Sequence, residues 1–290
     1  MTEQNTRRGV GLMLASVVIF SAQDGITRHL TVLYPVQMVV MLRFWFFALF
    51  VIWLSALQPG GLRAAVRTAH LPLHVVRGLL LVGQICMVGL AFAHNGLIET
   101  HSLLISYPLM VAALSGPILG EKVGWRRWTA ILLGFAGILV MLRPGLSVFS
   151  VWSMLPLLAA LIFAVYALLT RFAARKDSAQ VSFFWTGIIG ALGMTVFGLP
   201  VWTNMASADW AWMLLLCCTS CAGHYFLIRA YAVAEASAIQ PFAYLQLVFI
   251  ALMGIFLFHE TLRVSVIFGS AIVIAAGMFT LWRQRVTDRG

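Results

Sequence analysis

The chain has 290 residues, of which 62% are hydrophobic and 10% are charged, and its mean hydropathy is +0.96. A soluble domain of this length does not need so much apolar residue, so the composition excludes a water-soluble enzyme or binding domain and predicts an integral membrane protein. The formal net charge of +10 would suit a nucleic-acid partner, but the positions of the basic residues exclude one, as described below.

Apolar runs of about 20 residues follow one another along the chain, each long enough to cross a hydrocarbon core of roughly 30 Å as a helix. The short connections between them leave no room for a soluble domain. The sequence therefore predicts an all-α integral membrane protein with ten transmembrane helices. The runs are 9–30, 36–57, 74–94, 97–119, 125–142, 151–172, 181–200, 211–231, 236–258 and 264–282.

The chain repeats itself in outline, which predicts two halves. Residues 91–121 and 230–260 share a small-aromatic-small step, a polar break, a long apolar run and a final Glu, and Thr27-Arg28 recurs as Thr170-Arg171. Five spans in each half is an odd number, so the second half must be inverted relative to the first. We predict two inverted five-helix repeats, residues 1–146 and 147–290, as in many secondary transporters.

The basic residues lie mostly on one side of the predicted membrane. Of the 19 Lys and Arg residues, three fall on the opposite side and Arg43 lies within a span. This asymmetry follows the positive-inside rule, so it predicts cytoplasmic termini and explains the net charge without nucleic acid. The residues on the cytoplasmic side are Arg7, Arg8, Arg63, Arg67, Arg77, Lys122, Arg126, Arg127, Arg171, Arg175, Lys176, Arg229, Arg283, Arg285 and Arg289, and those on the outer side are Arg28, Arg143 and Arg263.

Proline interrupts the fourth and ninth spans, which occupy equivalent places in the two halves. Pro108 lies in the middle of the fourth span and Pro241 just inside the ninth. A Pro within a helix frees a backbone carbonyl, which membranes tolerate where protein or a water-filled cavity satisfies it. We therefore predict helix breaks at both positions, beside a substrate site near the midplane.

Two charges are predicted at similar depth in adjacent spans, Asp24 in the first and Arg43 in the second. Buried charge is costly in a membrane, so an ion pair between them would lower the cost of both. Arg28, one helical turn after Asp24, is the competing partner. A structural pair and a proton carrier are both open interpretations.

Five polar side chains near the midplane are the predicted substrate-binding residues: Gln84, Ser106, Tyr107, His224 and Tyr244. Tyr244 and Gln246 are two positions apart and point to nearly opposite faces of a helix, and Tyr244 shares a face with Pro241, so we expect Tyr244 in the cavity. The alternative is that these groups only form hydrogen bonds between packed helices.

The motifs of several other classes of protein are missing. The sequence has no Walker-type phosphate loop and no HExxH or GxSxG motif, which argues against direct ATP coupling and against a protease or hydrolase. Cys218 and Cys221 have CxxC spacing in an apolar span without a second pair or a His cluster, so we interpret them as packing residues. No cofactor and no metal site are predicted.

The chain resembles the drug/metabolite transporter superfamily, in its ten-span EamA-type branch. The resemblance rests on the paired five-span halves, Arg43-Phe44, Pro108, and the span endings Gly120-Glu121-Lys122 and His259-Glu260-Thr261 before Gly-rich spans. The second half departs from the pattern because Glu260 follows His259 and Leu247 replaces the Pro that matches Pro108. Within the superfamily the chain is most similar to YddG-type aromatic amino acid exporters. The resemblance implies an exporter with a central cavity and alternating access.

These observations together predict a secondary transporter that exports small metabolites, with aromatic or neutral amino acids as the expected substrates. Its expected partners are a small-molecule substrate and the lipid bilayer of a bacterial inner membrane, and we expect a monomer rather than a dimer. A membrane-embedded enzyme acting on lipid and an exporter of another metabolite or drug class are the alternatives. A channel is disfavoured by the twofold internal repeat.

Topology gives the first testable prediction. Cysteines introduced at Thr6 and Val286 should escape a membrane-impermeant reagent added outside the cell, because the positive-inside rule places both termini in the cytoplasm. Asn204→Cys, at a predicted outer end, is the matched control and should react. Strong external labelling at position 6 or 286 would overturn the assignment of inner and outer ends.

Overall fold

The computed structural model describes residues 6–120, 124–142 and 151–287, and every regular element in these ranges is helical. The predicted boundary between residues 146 and 147, and Glu121, Lys122, Arg143 and Arg289, lie outside the described residues. The helices are α1 (Thr6–Leu33), α2 (Val36–Ala56), α3 (Gly61–Val66), α4 (Leu71–Asn95), α5 (Leu97–Leu104), α6 (Tyr107–Leu119), α7 (Trp125–Leu142), α8 (Val151–Ala173), α9 (Ala179–Gly198), α10 (Ser207–Val233), α11 (Ala236–Ile239), α12 (Leu245–Phe258) and α13 (Val264–Thr287), with 3₁₀ turns at Leu199–Val201 and Gln240–Tyr244.

Seven segments in the described ranges are long and apolar enough to cross a membrane. Three further apolar stretches in the described ranges are shorter: Trp128–Met141, Phe242–Phe258 and Val264–Ala276. The regular elements of the described residues are thus all helical, with the apolar lengths that a membrane protein needs, and the number of ten spans stays a prediction. The seven segments are Thr6–Leu33, Val36–Ala56, Leu71–Asn95, Leu97–Leu119, Met154–Ala173, Ala179–Val201 and Ser207–Val233.

The main helix pairs each join one predicted half to the other. Helix α1 packs on α10, α4 on α8, α2 on α9 and α7 on α13. This pairing is symmetric between the halves. If each span is replaced by its counterpart in the other half, the α1–α10 pair becomes the α4–α8 pair, and the α2–α9 and α7–α13 pairs stay the same. The inverted repeat itself remains a prediction.

Glycine allows α9 to approach α2 closely. A Cβ atom at Gly190 would lie 2.1 Å from Cδ1 of Phe44, and one at Gly187 would lie 3.0 Å from Cγ2 of Val51. Small residues at such positions let two helix backbones come together where no hydrophobic effect drives them. These two glycines of the predicted seventh span therefore serve packing within the chain.

The predicted fourth and ninth spans are both broken. Helix α5 ends at Leu104 and α6 begins at Tyr107, with Pro108 as its second residue. In the ninth span, α11 and α12 are joined by the 3₁₀ turn Gln240–Tyr244, which contains Pro241. Proline is well suited to these positions because the first N–H groups of a helix have no acceptor inside the helix, so the N–H that proline lacks costs no intrahelical hydrogen bond.

A buried arginine joins three helices at the predicted cytoplasmic end. Arg77 of α4 is fully buried, and its guanidinium donates hydrogen bonds to Oγ1 of Thr170 at 3.0 Å, to Oγ1 of Thr186 at 2.8 Å and to the carbonyl oxygen of Ser182. Its Cζ atom also lies 5.5 Å from the ring centroid of Tyr166. The side chains of α8 and α9 thus satisfy a charge that would be costly to leave unpaired.

Asp177, in the connection between α8 and α9, is held by three donors. Its carboxylate accepts hydrogen bonds from Oγ1 of Thr68 at 2.6 Å and from the backbone N–H of Ala69 at 3.0 Å, and lies 2.9 Å from Nε2 of His74. Burial alone would raise the pKa of Asp177, but the hydrogen bonds from Thr68, Ala69 and His74 together lower it below its usual range.

The lowered pKa predicts a pH-dependent contribution to stability. Because the folded-state pKa lies below the unfolded value of about 3.9, the ionised carboxylate stabilises the fold above that pH, and this contribution is lost as the pH falls through the folded-state pKa. Asp177→Asn should cost about 1–3 kcal/mol at pH 7. In thermal unfolding of purified protein, the difference between wild type and variant should shrink below about pH 4. An equal difference at pH 7 and pH 3.5 would contradict this account.

Candidate functional site

A cavity lies inside the bundle, between α1, α2, α4, α5, α6, α8, α10 and α12. The volume of the cavity is about 80 Å³, which is enough for a few waters but well below the roughly 300 Å³ of a small-molecule site. In this structure the cavity is therefore too small to hold a metabolite. Its lining residues are Met13, Ser16, Val17, Phe20, Gln23, Asp24, Thr27, Arg43, Gln84, Ile85, Val88, Phe92, His101, Leu104, Tyr107, Phe163, His224, Leu227 and Gln246.

The negative side of the cavity is Asp24 of α1. Its Oδ2 accepts a hydrogen bond from Nε2 of Gln246 at 2.9 Å, and Nε2 of His101 lies 3.5 Å from the same oxygen. The side chain of Asp24 is 13% accessible and that of His101 is 9% accessible. The carboxylate is thus held by two polar neighbours while it still faces the empty space.

The positive side of the cavity is Arg43 of α2. The residue is 3% exposed, its Nε donates to Oγ of Ser220, and its Nη2 lies 3.4 Å from Nε2 of His224. Both partners belong to α10. A guanidinium has five N–H donors, so these two contacts leave donors for a further acceptor in the cavity.

The predicted ion pair between Asp24 and Arg43 is not formed as a direct contact, and the coupling of the two charges stays a prediction. Among the described residues no ion pair joins the two side chains: Asp24 is held by Gln246 and His101. Arg43 is held by Ser220 and His224, and both charges line the same cavity. The competing partner is excluded as well, because Arg28 lies 3.8 Å from Glu260 at the outer end. The two charges therefore lie at one cavity, as their similar depth in adjacent spans predicts, but each has separate hydrogen-bond partners there.

Aromatic rings form much of the remaining wall. The Tyr107 and Phe163 rings meet edge to face at 4.8 Å between centroids, Phe20 meets His224 at 5.1 Å, and Phe92 stacks on His101 at 5.9 Å. Such rings offer apolar faces, and the Tyr107 hydroxyl adds a polar tip. The cavity thus combines two opposite charges with an aromatic surface.

The structure brings three of the five predicted substrate-binding residues to the cavity wall: Gln84, Tyr107 and His224. Ser106 is completely buried and its hydroxyl has no hydrogen-bond partner, but it does not line the cavity. Its place is at the break between α5 and α6, where its carbonyl oxygen accepts from the N–H groups of Leu109 and Met110.

Tyr244 lies away from the cavity, in an apolar cluster with Leu103, Ile105 and Leu109, and Gln246 takes the expected place. The expectation assumed a continuous α-helix through Pro241. In the observed 3₁₀ turn Gln240–Tyr244, positions three apart still share a face. The error lies in assigning the face of Tyr244 to the cavity, which Gln246 lines instead. The sequence signal for the cavity-facing side of this helix is Gln246, the polar side chain on the face opposite Tyr244.

No group of three or more metal-ligating side chains that could hold an ion occurs in the described ranges. The charged and titratable groups of the cavity are instead one carboxylate, one guanidinium and two imidazoles, accompanied by the amides of Gln23, Gln84 and Gln246 and the hydroxyls of Ser16, Thr27 and Tyr107. This arrangement suits reversible binding of a charged molecule.

Comparison with known proteins points the same way. Residues 150–282 match the model of the EamA-like transporter family, a segment within the predicted second half. A solved crystal structure aligns with a TM-score of 0.68 over 96% of this chain and 98% of that chain, at 17% sequence identity. At this identity the likeness shows the fold alone.

Named relatives cover nearly the whole chain. It is 28% identical over 281 residues to an S-adenosylmethionine uptake transporter of Rickettsia prowazekii, covering 96% of this chain and 93% of that protein. It is 27% identical over 286 residues to a riboflavin transporter of Vibrio cholerae, covering 97% and 96%. A pseudopaline exporter of Pseudomonas aeruginosa is 23% identical over 272 residues, covering 93% and 94%.

These relatives are not aromatic amino acid exporters, so the finer part of the predicted resemblance has no support among them. The broader part is supported by the matched segment and by the coverage of the relatives. The chain is therefore similar to EamA-type transporters, and the relatives that it matches over nearly its whole length are named as transporters.

Proposed function

We propose that this protein is a secondary transporter for a zwitterionic metabolite that carries an amino-acid group, and that S-adenosylmethionine is its leading candidate substrate. The observation that carries the proposal is the pair of opposite charges, Asp24 and Arg43, which line one cavity without neutralising each other directly. An ammonium group beside Asp24 and a carboxylate beside Arg43 would complete both partner sets. Charge-assisted hydrogen bonds are strong, so they favour a substrate that carries both an ammonium group for Asp24 and a carboxylate for Arg43.

The aromatic wall supports a substrate with a large flat part. Phe20, Phe92, Tyr107 and Phe163 surround the charged groups, and rings of this kind stack on a purine or on an aromatic side chain. S-adenosylmethionine combines an amino-acid group, a purine and a sulfonium cation, and the relative from Rickettsia prowazekii is named as its uptake transporter. Riboflavin, named for the Vibrio cholerae relative, lacks the zwitterionic group that Asp24 and Arg43 would bind.

Export of aromatic or neutral amino acids is the second candidate. These molecules share the zwitterionic group and, in part, the aromatic ring, so the same cavity chemistry favours them. The small volume of the cavity supports alternating access for either substrate. The helices around the cavity must separate before a molecule larger than water can enter it. We place this activity in a bacterial inner membrane, in a monomer of two inverted halves with cytoplasmic termini.

Transport by purified protein in liposomes tests the substrate. Labelled S-adenosylmethionine should enter in exchange for unlabelled substrate trapped inside, and phenylalanine or leucine should compete with it less well. Riboflavin is the uncharged comparison and should not compete. Exchange of amino acids without exchange of S-adenosylmethionine would replace the leading candidate by the second one, and exchange of riboflavin alone would contradict the zwitterion proposal.

Matched variants and substrate analogues test the roles of the charges. Asp24→Asn should raise KM about 10- to 100-fold for a substrate with an amino group, but should change KM little for an analogue without it. Arg43→Gln should show the same pattern towards analogues without the carboxylate. The Tyr244→Phe variant serves as the control, because its hydroxyl lies outside the cavity. Equal losses for all analogues would indicate a structural role and contradict the assignment.

A further inference from the structure

The carboxylate of Glu260 joins the two predicted halves at the outer end of the bundle. It accepts hydrogen bonds from the backbone N–H groups of Leu97 and Ile98, both at 2.8 Å, and its Oε1 lies 3.8 Å from Nε of Arg28. Leu97 and Ile98 begin α5, where N–H groups have no partner inside the helix and the helix dipole favours a negative charge. We call these four residues the outer clasp.

The backbone on both sides of the clasp is built for this contact. Helix α12 ends at Phe258 and is followed by His259, which has a φ of 53° and is the one non-glycine residue with positive φ in the described ranges. This left-handed turn, with the N–H of Glu260 donating to the carbonyl oxygen of Gly254 at 2.9 Å, directs the carboxylate towards α5. Opposite it, Gly96 has a φ of 80°, and a Cβ there would lie 2.7 Å from Oε1 of Glu260.

Helix α5 connects the clasp to the cavity. It is eight residues long, it is separated from α4 by Gly96, and it ends at the break before Tyr107. Two of its residues, His101 and Leu104, line the cavity, and His101 approaches Asp24. A movement of the clasped end of α5 therefore changes the outer wall of the cavity.

We propose that the outer clasp is a gate contact: it holds the cavity closed towards the predicted outer face, and its release lets α5 turn at the break before Tyr107 and opens the cavity outwards. This inference rests on the proposed transport function and on the predicted topology. Charge-assisted hydrogen bonds make the contact strong when it is formed. The side chains of Glu260 and Arg28 are 17% and 21% accessible, so water can solvate both when the contact is released.

The test measures access to the cavity and needs no substrate. A reporter cysteine replaces Gln84 in a protein without its four native cysteines, and a membrane-impermeant thiol reagent is added from outside. Glu260→Gln removes the charge and one acceptor oxygen, and Gly96→Ala displaces the carboxylate by contact. Each should increase the labelling rate roughly tenfold or more, since each shifts the population from the clasped to the open state.

Glu99→Gln is the matched control, because Glu99 lies at the same surface and pairs with Arg263 at 3.2 Å, with side chains that are 35% and 59% accessible. Removal of this exposed pair should leave the labelling rate unchanged. His259→Gly should also leave it unchanged, since glycine adopts the same left-handed turn without strain. Size-exclusion profiles and thermal unfolding verify that every variant is folded.

Two outcomes would overturn the gate. Unchanged labelling in folded Glu260→Gln and Gly96→Ala would show that the clasp does not control access. Equal increases in Glu260→Gln and Glu99→Gln would show a general effect of surface charge. Neither outcome depends on which metabolite is transported, so failure of the gate is distinguishable from failure of the proposed substrate.

Discussion

The cost of holding charged groups inside a membrane governs the centre of this protein. Asp24 and Arg43 are both buried, and each has polar partners from the other predicted half: Gln246 for the acid, beside His101 of its own half, and Ser220 and His224 for the guanidinium. A direct ion pair would satisfy the charges but would also close the space between them. Cross-half partners lower the cost of each charge and keep both available to a third molecule.

Interrupted helices are the second part of this arrangement. In a bilayer, irregular backbone is tolerated only where protein or water satisfies its polar groups. The breaks before Tyr107 and at Gln240–Tyr244 both lie in segments that contribute to the cavity wall, through Tyr107 and Gln246. The breaks therefore divide two spans into short helices, and α5 and α12 can present different residues to the cavity than continuous helices would.

The membrane class, the general positions of the helices and both charged residues of the cavity, with three of its other polar residues, could be predicted from the sequence, because apolar length and the cost of buried polar groups are local properties of a span. Asp24, Arg43, Gln84, Tyr107 and His224 were found in this way. The errors have a common cause. The sequence predicts that Tyr244 faces the cavity because it shares a face with Pro241, but packing between helices turns Gln246 to the cavity instead. Arg28 likewise pairs with Glu260 of the distant half and not with its neighbour Asp24. Pairings between the halves depend on tertiary structure, which one sequence without its fold does not define.

The position of Arg77 has a consequence for biogenesis. Its partners Thr170, Ser182 and Thr186 are 93 to 109 residues further along the chain, so at ordinary rates of translation they emerge about 5–20 s later. During that interval α4 holds a guanidinium whose partners in α8 and α9 have not yet been made, although His74 of the same helix is present. Its place seven residues into the helix, at the predicted cytoplasmic end, lets the long side chain reach the headgroup region and remain hydrated. Arrival of α8 and α9 then withdraws Arg77 from the lipid surface, so the native network forms only when the second half of the chain is present.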